Sequence, residues 1–374
     1  KNYIYHIFIL KLQLHFIPNE LYDSIIYMDK INEKPNFLSR HEDIIKLYLR
    51  ESLNNYNGNL SHYIKNYFGW IDVDGNTVQD SYQGKAFRPS ICMLMCEGMG
   101  GDIKAASVSS ISIELVHNFS LIHDDIEDND RFRRHKPTLW AVWGIPKALV
   151  TGNSMLALGN KELEKLNKFG LSNSDIFFSQ KLLTESYLKM MEGQFLDISF
   201  EKQKTVNQDE YIKMIGLKTG ALIECSVLIG AVTSGKKLST NELNNIQNFG
   251  KSLGLLFQIR DDILGVWGTN KTGKPVGSDI KKKKKSLPII IALSEKNQQY
   301  KNLLLEIMDK PNIEDTDIQK FIYIMEKIGV KDQCEKMAQS QLDNIKNTLR
   351  KIPIKPTYID DFNQIGDFLM NREV

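Results

Sequence analysis

Apolar residues return at three- and four-residue intervals along most of the chain, and strict polar–apolar alternation is scarce. The stretch 36–53, NFLSRHEDIIKLYLRESL, has Ser39 placed as a helix cap and carries Ile44, Leu47 and Leu49 as its periodic apolar positions. Similar helical periods run near 102–128, 139–160, 174–196, 209–232, 241–264, 286–308, 316–328, 331–350 and 358–370. Polar or Gly-rich breaks separate them at 72–84, 199–208, 233–241 and 268–279. No repeat of fixed period and no shift of composition marks a boundary. The pattern predicts an all-α chain, a single helical domain over 38–374 preceded by an N-terminal extension, 1–37.

Composition narrows the class. With 374 residues, 42% hydrophobic and 25% charged, the chain can bury a large core and is not disordered. A net charge of +2 and a pI near 8.2 give no global case for nucleic acid, so any basic site is local. Cys92 and Cys96 stand one helical turn apart, but no second pair at zinc-like spacing joins them. Buried free thiols, and a reducing, cytoplasmic compartment, are the expectation. The stretch YIYHIFILKLQLHFI near the start is too short and too interrupted by Lys11, Gln13, His6 and His15 to span a bilayer.

The segment 120–138, SLIHDDIEDNDRFRRHKPT, crowds Asp124, Asp125, Glu127, Asp128 and Asp130 ahead of Arg131, Arg133 and Arg134. A helix gains nothing from stacking carboxylates four apart, so a cation on one side and an anion on the other would offset the repulsion. At 100° per residue, His117, Ser120, Asp124 and Asp128 fall within about 80° of one another, apart from an apolar stripe of Val108, Ile111, Leu115, Phe119 and Ile122. The acidic residues therefore end a buried helix. Asp261 and Asp262 end another apolar helix, with Gln258 one turn earlier. All-oxygen donors without a Cys or His cluster favour Mg²⁺, which shares its coordination with water and substrate phosphate. Lys85, Arg88, Arg133, Arg134, Lys218, Thr219, Lys274 and the run Lys281–Lys285 supply phosphate-type partners. A greasy substrate with a diphosphate head would need such a set.

Together these residues resemble the trans-prenyltransferases, the polyprenyl diphosphate synthases that include farnesyl and geranylgeranyl diphosphate synthases. The family's first DDxxD is similar to Asp124-Asp125-Ile126-Glu127-Asp128, with paired arginines after it; its GKxxRP loop matches Gly84, Lys85, Arg88 and Pro89. The upstream histidine is His117, the KT pair Lys218-Thr219, and FQxxDD becomes Phe257, Gln258, Asp261 and Asp262. GKxxGxDxxxxKxxLP matches Gly273, Lys274, Gly277, Asp279, Lys284, Leu287 and Pro288. Six motifs run in family order from about 84 to 288. One departs: the second aspartate motif often ends in Asp, and Gly265 stands there instead.

The resemblance implies the isoprenoid synthase fold, a helical bundle around a deep apolar pocket, and head-to-tail condensation of isopentenyl diphosphate with an allylic diphosphate. It implies two to three Mg²⁺ ions on Asp124, Asp128, Asp261 and Asp262, and a homodimer. Catalysis is expected to rest on Asp124, Asp128, Lys218 and Asp261. Arg133, Lys218, Thr219, Gln258, Lys274 and Lys284 would hold the allylic diphosphate, and Lys85, Arg88, His117 and Arg134 the isopentenyl one. Asp279 would be either a turn residue or an anchor for Lys284. Phe119 and Ser120, one turn below Asp124, would gate product length, one large and one small residue suiting C15 to C20 with C20 favoured. Restoring aspartate at Gly265 is expected to preserve activity. The alternatives are a longer-chain synthase or a non-catalytic subunit of a heteromeric synthase. An intact first aspartate site weighs against the second, and a helical RNA or membrane binder is disfavoured by the low net charge.

Overall fold

Helix signals at the ends of the apolar periods are realised as caps in the computed structural model, which describes residues 36–78, 86–134, 136–203, 205–268 and 275–372. Asp102, Ser172, Asn207 and Ser239 each accept a backbone N–H at a helix start, and Asn207 and Ser239 complete reciprocal boxes with Glu210 and Glu242. Among the described residues the only strand ladder is a two-residue hairpin in which Phe132 pairs with Pro137 and Arg133 with Lys136. Apart from an isolated bridge between Ile71 and Thr77, the rest is helix and turn.

Eight helices build and brace the central cavity: α1 (Phe87–Gly98), α2 (Ile103–Glu127), α3 (Ile145–Glu162), α4 (Asn173–Glu201), α5 (Ala221–Thr233), α6 (Thr240–Trp267), α7 (Val330–Leu349) and α8 (Pro356–Asn371). Every residue of α5 is buried, so it has no solvent face at all. Two apolar cores meet back to back across α1 and α5. One gathers Ile91, Leu94, Val227 and Leu228 with α6, α7 and α8; the other gathers Cys92, Cys96, Cys225 and Ile229 with α2, α3 and α4. Two helical segments, Ile103–Glu127 and Gln208–Thr233, are long and apolar enough to cross a membrane, with 83% and 78% of the relevant stretch buried inside the protein. All four cysteines are buried and unbridged.

Two local expectations change. Ser39 closes a short helix, Asn36–Ser39, and the next helix starts at Glu42 behind His41, which makes no side-chain cap. Its buried positions are Ile45, Leu49 and Leu53, spaced four apart, which turns Leu47 to solvent at 53% exposure. The proposed N-terminal extension lies outside the described residues except at its end, where Phe37 is buried edge-on against Phe368 at 5.7 Å. Gly144, at φ 81°, divides the expected helix 139–160 into Leu139–Trp143 and α3.

Candidate active site

The stripe expected on α2 is the buried one: Val108, Ile111, Leu115, Phe119 and Ile122 are all at most 4% exposed. The polar face that remains, with His117, Ser120 and Asp124, lines a cavity of about 520 Å³. Asp128 caps the helix end, its N–H donating to the Asp124 carbonyl at 2.8 Å. Burial pushes the Asp124 carboxyl up to about 6; Lys218 opposes the shift and Asp128 adds to it. Asp128 is likewise raised by burial. Asp125 plays another part: it is buried, and Arg133 Nε donates to its Oδ1 at 2.6 Å. Trp140 Nε1 donates to the Asp125 carbonyl at 2.8 Å and the Asp130 carbonyl at 2.9 Å, which ties the hairpin to the helix end. Arg134 turns at φ 49° and lines the cavity beside Arg133.

In the cavity lining Arg88 Nη1 donates to His117 Nε2 at 3.3 Å. Burial, then the neighbouring Arg88, Arg134 and Arg133, hold His117 well below its ordinary pKa, so the ring is neutral and Nε2 is the acceptor. Burial also lowers Arg88, to about 10, against Glu114 and Asp124. Arg88 Nε is buried with no hydrogen-bond partner among the described residues. A guanidinium half-used in a concave site is a seat for an oxyanion.

The other wall is a one-turn π-helix, Gly216–Gly220, set between Gln208–Ile215 and α5. Two glycines in neighbouring helices make room for it. A Cβ on Gly193 of α4 would lie 2.6 Å from Lys218 Cα, and one on Gly254 of α6 would lie 2.6 Å from Gly220 Cα. Seated there, Lys218 Nζ donates to Asp197 at 2.5 Å and Thr219 Oγ1 to Gln258 Oε1 at 2.8 Å. Burial works against the Lys218 charge, but Asp197, Asp124 and Asp128 outweigh it and raise the pKa. Lys284 is raised in the same way, burial being overcome by Asp279, Asp262, Asp261 and Asp197.

Asp124, Asp261, Arg88, His117, Arg133, Arg134, Lys218, Thr219, Gln258 and Lys284 all line this cavity; Lys85 and Lys274 lie outside the described residues. Asp262 is a correction. It is 1% exposed, is absent from the lining, and accepts from Tyr211 Oη at 2.6 Å, Gln258 Nε2 at 2.9 Å and the Leu287 N–H at 3.2 Å. With both oxygens engaged inside the protein, it fixes the Gln258 amide instead of presenting itself to a metal. Among the described residues no three acidic, His or Cys side chains gather closely enough to hold a metal ion by themselves. Asp128, expected as a further ligand, is exposed at the helix end and is not part of the cavity lining. Asp124 and Asp261, which both line the cavity, suit a hard cation completed by phosphate oxygens and water.

Sequence reasoning missed Asp197, Tyr211 and Arg372. Asp197 follows Met190 and Gln194 on the inward side of α4, a polar interruption that could have marked it. Arg372 carries no motif: its Nη2 donates to the Phe257 carbonyl at 2.9 Å, its guanidinium stacks 4.4 Å from the Phe257 ring, and it stands 3.8 Å from Asp261 Oδ1. A second cavity of about 360 Å³ shares Ser120, Asp124, Met190 and Lys218 with the first and is walled by Phe119, His123, Met191, Gln194 and Phe195. Both residues expected to gate product length thus line it. Gly152 leaves room for the His123 ring, which packs edge-on to Phe119 at 4.7 Å.

Residues 76–325 match the Polyprenyl synthetase family model. A (2E,6E)-farnesyl diphosphate synthase of Mycobacterium tuberculosis is 34% identical over 269 residues, 72% of this chain and 73% of the relative. A geranylgeranyl diphosphate synthase of Saccharolobus solfataricus is 32% identical over 318 residues, 83% of this chain and 93% of the relative. The crystal structure of a polyprenyl synthetase from Streptomyces coelicolor superposes with a TM-score of 0.82 at 31% identity, covering 89% of this chain and 98% of that one.

Proposed function

Because the chain belongs to the polyprenyl synthetase family and is a prenyltransferase that elongates prenyl diphosphates, we propose that it condenses isopentenyl diphosphate with an allylic diphosphate in this cavity, with C20 as the favoured product. The observation that carries this reading is that one cavity collects the Arg88–His117 pair with Arg134, the Thr219–Gln258 pair with Lys218 and Lys284, and the carboxylates Asp124 and Asp261. Asp124, Asp128 and Asp261 would hold Mg²⁺, which when bound neutralises charge on the leaving diphosphate.

Lys218, Lys284 and Arg133 bind the allylic diphosphate, and Thr219 and Gln258, locked by Asp262, hold its geometry. The C1–O bond breaks and the diphosphate leaves with the electron pair. Arg88, Arg134 and neutral His117 fix the isopentenyl diphosphate so that its double-bond electrons form the new bond to C1 of the cation. Proximity of this kind supplies a large share of the rate. The tertiary cation that results passes a proton to an oxygen of the departed diphosphate. The apolar walls keep water from intercepting either cation.

The second cavity receives the tail. Ser120 opens it and Phe119 narrows it, which supports C20 over C15. Two copies of the chain would pair through α3 and α4, where Ile145, Leu149, Val150, Phe177, Leu188, Met191 and Phe195 are 36–71% exposed. The buried, unbridged thiols suit a reducing compartment.

The test is product chromatography with Mg²⁺, excess isopentenyl diphosphate and each allylic starter in turn. The expected outcome is C20 as the main product, a shift toward C15 in Ser120→Phe, and products beyond C20 in Phe119→Ala. Asp124→Ala should cut turnover by about a thousandfold, roughly 4 kcal/mol. Near-normal turnover in Asp124→Ala, or an unchanged product spectrum in both cavity variants, would overturn the assignment of the site or of the gate respectively.

A further inference from the structure

Gln194 is 8% exposed, and neither its Oε1 nor its Nε2 has a hydrogen-bond partner among the described residues. Both atoms of a buried carboxamide left unpaired cost free energy, so such a group is retained where something else engages it. It lies on α4 between Met190, which lines both cavities, and Asp197, which accepts the Lys218 ammonium. Residues 190, 194 and 197 share one helical face. The adjacent Gly193 brings the Lys218 backbone against α4, so Gln194 sits at the level of the π-helix. With Ser120, Asp124 and Lys218 it lines the second cavity where that cavity joins the first.

One helical turn is about 5.4 Å, so the amide stands about one isoprene length from the Asp197–Lys218 pair. That is the depth of the first isoprene unit of a substrate whose diphosphate is held by Lys218. A neutral hydrocarbon there offers the amide neither donor nor acceptor. A positively charged carbon framework instead offers charge to the carbonyl dipole, and a fixed dipole in a site shielded from water stabilises charge that develops in the transition state.

We propose that Gln194 is a catalytic residue whose carboxamide oxygen faces the allylic carbons and stabilises the cation formed when the C1–O bond breaks. The electron pair leaves with the diphosphate, the charge spreads over C1 and C3 beside the amide oxygen, and it is quenched when the isopentenyl double bond supplies the electrons of the new C–C bond. The inference rests on the reading that Asp124 and Lys218 hold the allylic diphosphate.

The test compares two non-reacting probes by calorimetry: an allylic diphosphate analogue with an ammonium centre in the allylic portion, and its neutral carbon isostere. In Gln194→Met the ammonium analogue should bind about tenfold more weakly and the isostere within about twofold of the parent. In Gln194→Glu the ammonium analogue should bind more tightly. Turnover of Gln194→Met should fall about ten- to a hundredfold with both KM values and the product length unchanged, and its melting temperature should stay near the parent's. Equal weakening of both probes, or a changed product length at normal turnover, would make Gln194 a wall of the tail cavity and end the proposal. Unchanged isostere affinity in Lys218→Ala would instead remove the diphosphate assignment on which it rests.

Discussion

A carbon added to Gly265 would lie 2.5 Å from Asp279 Cγ, and Asp279 is itself 7% exposed. Whatever side chain replaces this glycine must push aside a buried carboxylate that supports the charge of Lys284. Against the expectation that aspartate would be tolerated here, the crowding predicts a loss, for steric reasons and because a second carboxylate would face the first. Gly265→Asp should lower turnover at least about tenfold and lower the melting temperature, with Gly265→Ala intermediate in both; parent-like kinetics and melting in Gly265→Asp would show that Asp279 yields freely. The chemistry of single residues was largely legible in the chain. Asp124, Arg88, His117 and Lys218 announce themselves by residue type and spacing, and all of them line the cavity. Asp262 was not legible, because neighbouring positions on a helix point about 100° apart and only Tyr211 and the Leu287 N–H, remote in sequence, decide which carboxylate stays inside.

The element most specific to the site is the π-turn Gly216–Gly220. Hydrophobic periodicity over 209–232 correctly gave one long helical run, but a single wide turn shifts the register too little to be read from apolar spacing. Its trace is the pair of glycines bracketing Lys218-Thr219, and its support comes from Gly193 and Gly254 in other helices. Methyl groups at those notches would press on the backbone that carries Lys218 and Thr219, the proposed allylic diphosphate ligands. In Gly193→Ala, KM for the allylic substrate should rise and kcat fall, each by about tenfold, while KM for isopentenyl diphosphate changes less than about twofold. Equal effects on both substrates would mean that the bulge positions the whole cavity. Helix ends were poorly legible: Ser39, the cap read from the sequence, closes a short helix instead, and the realised caps Asp102 and Ser239 were not singled out.

At the scale of the molecule, the all-α class followed from the dominance of one period, but the back-to-back cores did not, since no sequence pattern says which helix faces two partners. The exposed face of α3 and α4 was equally hidden, because its apolar residues look like core until the fold leaves them outside. Phe177 and Leu188, at 70% and 54% exposure, stand apart from the lining of both cavities. Phe177→Glu with Leu188→Glu should convert a dimer to a monomer in light scattering without loss of helical circular dichroism; a parent chain that is monomeric at micromolar concentration would exclude the pairing.

The segments Ile103–Glu127 and Gln208–Thr233, which carry the first aspartate and the Lys218-Thr219 pair, also set the terms on which the chain can be made. Before the bundle closes, each is a stretch that membrane-insertion machinery and chaperones would both read as greasy, and neither can be made more polar without disturbing the buried walls of the bundle. Synthesis of this enzyme is thus a race in which α1 and α3 must close over α2, and α1, α4 and α6 over α5, before another hydrophobic surface does.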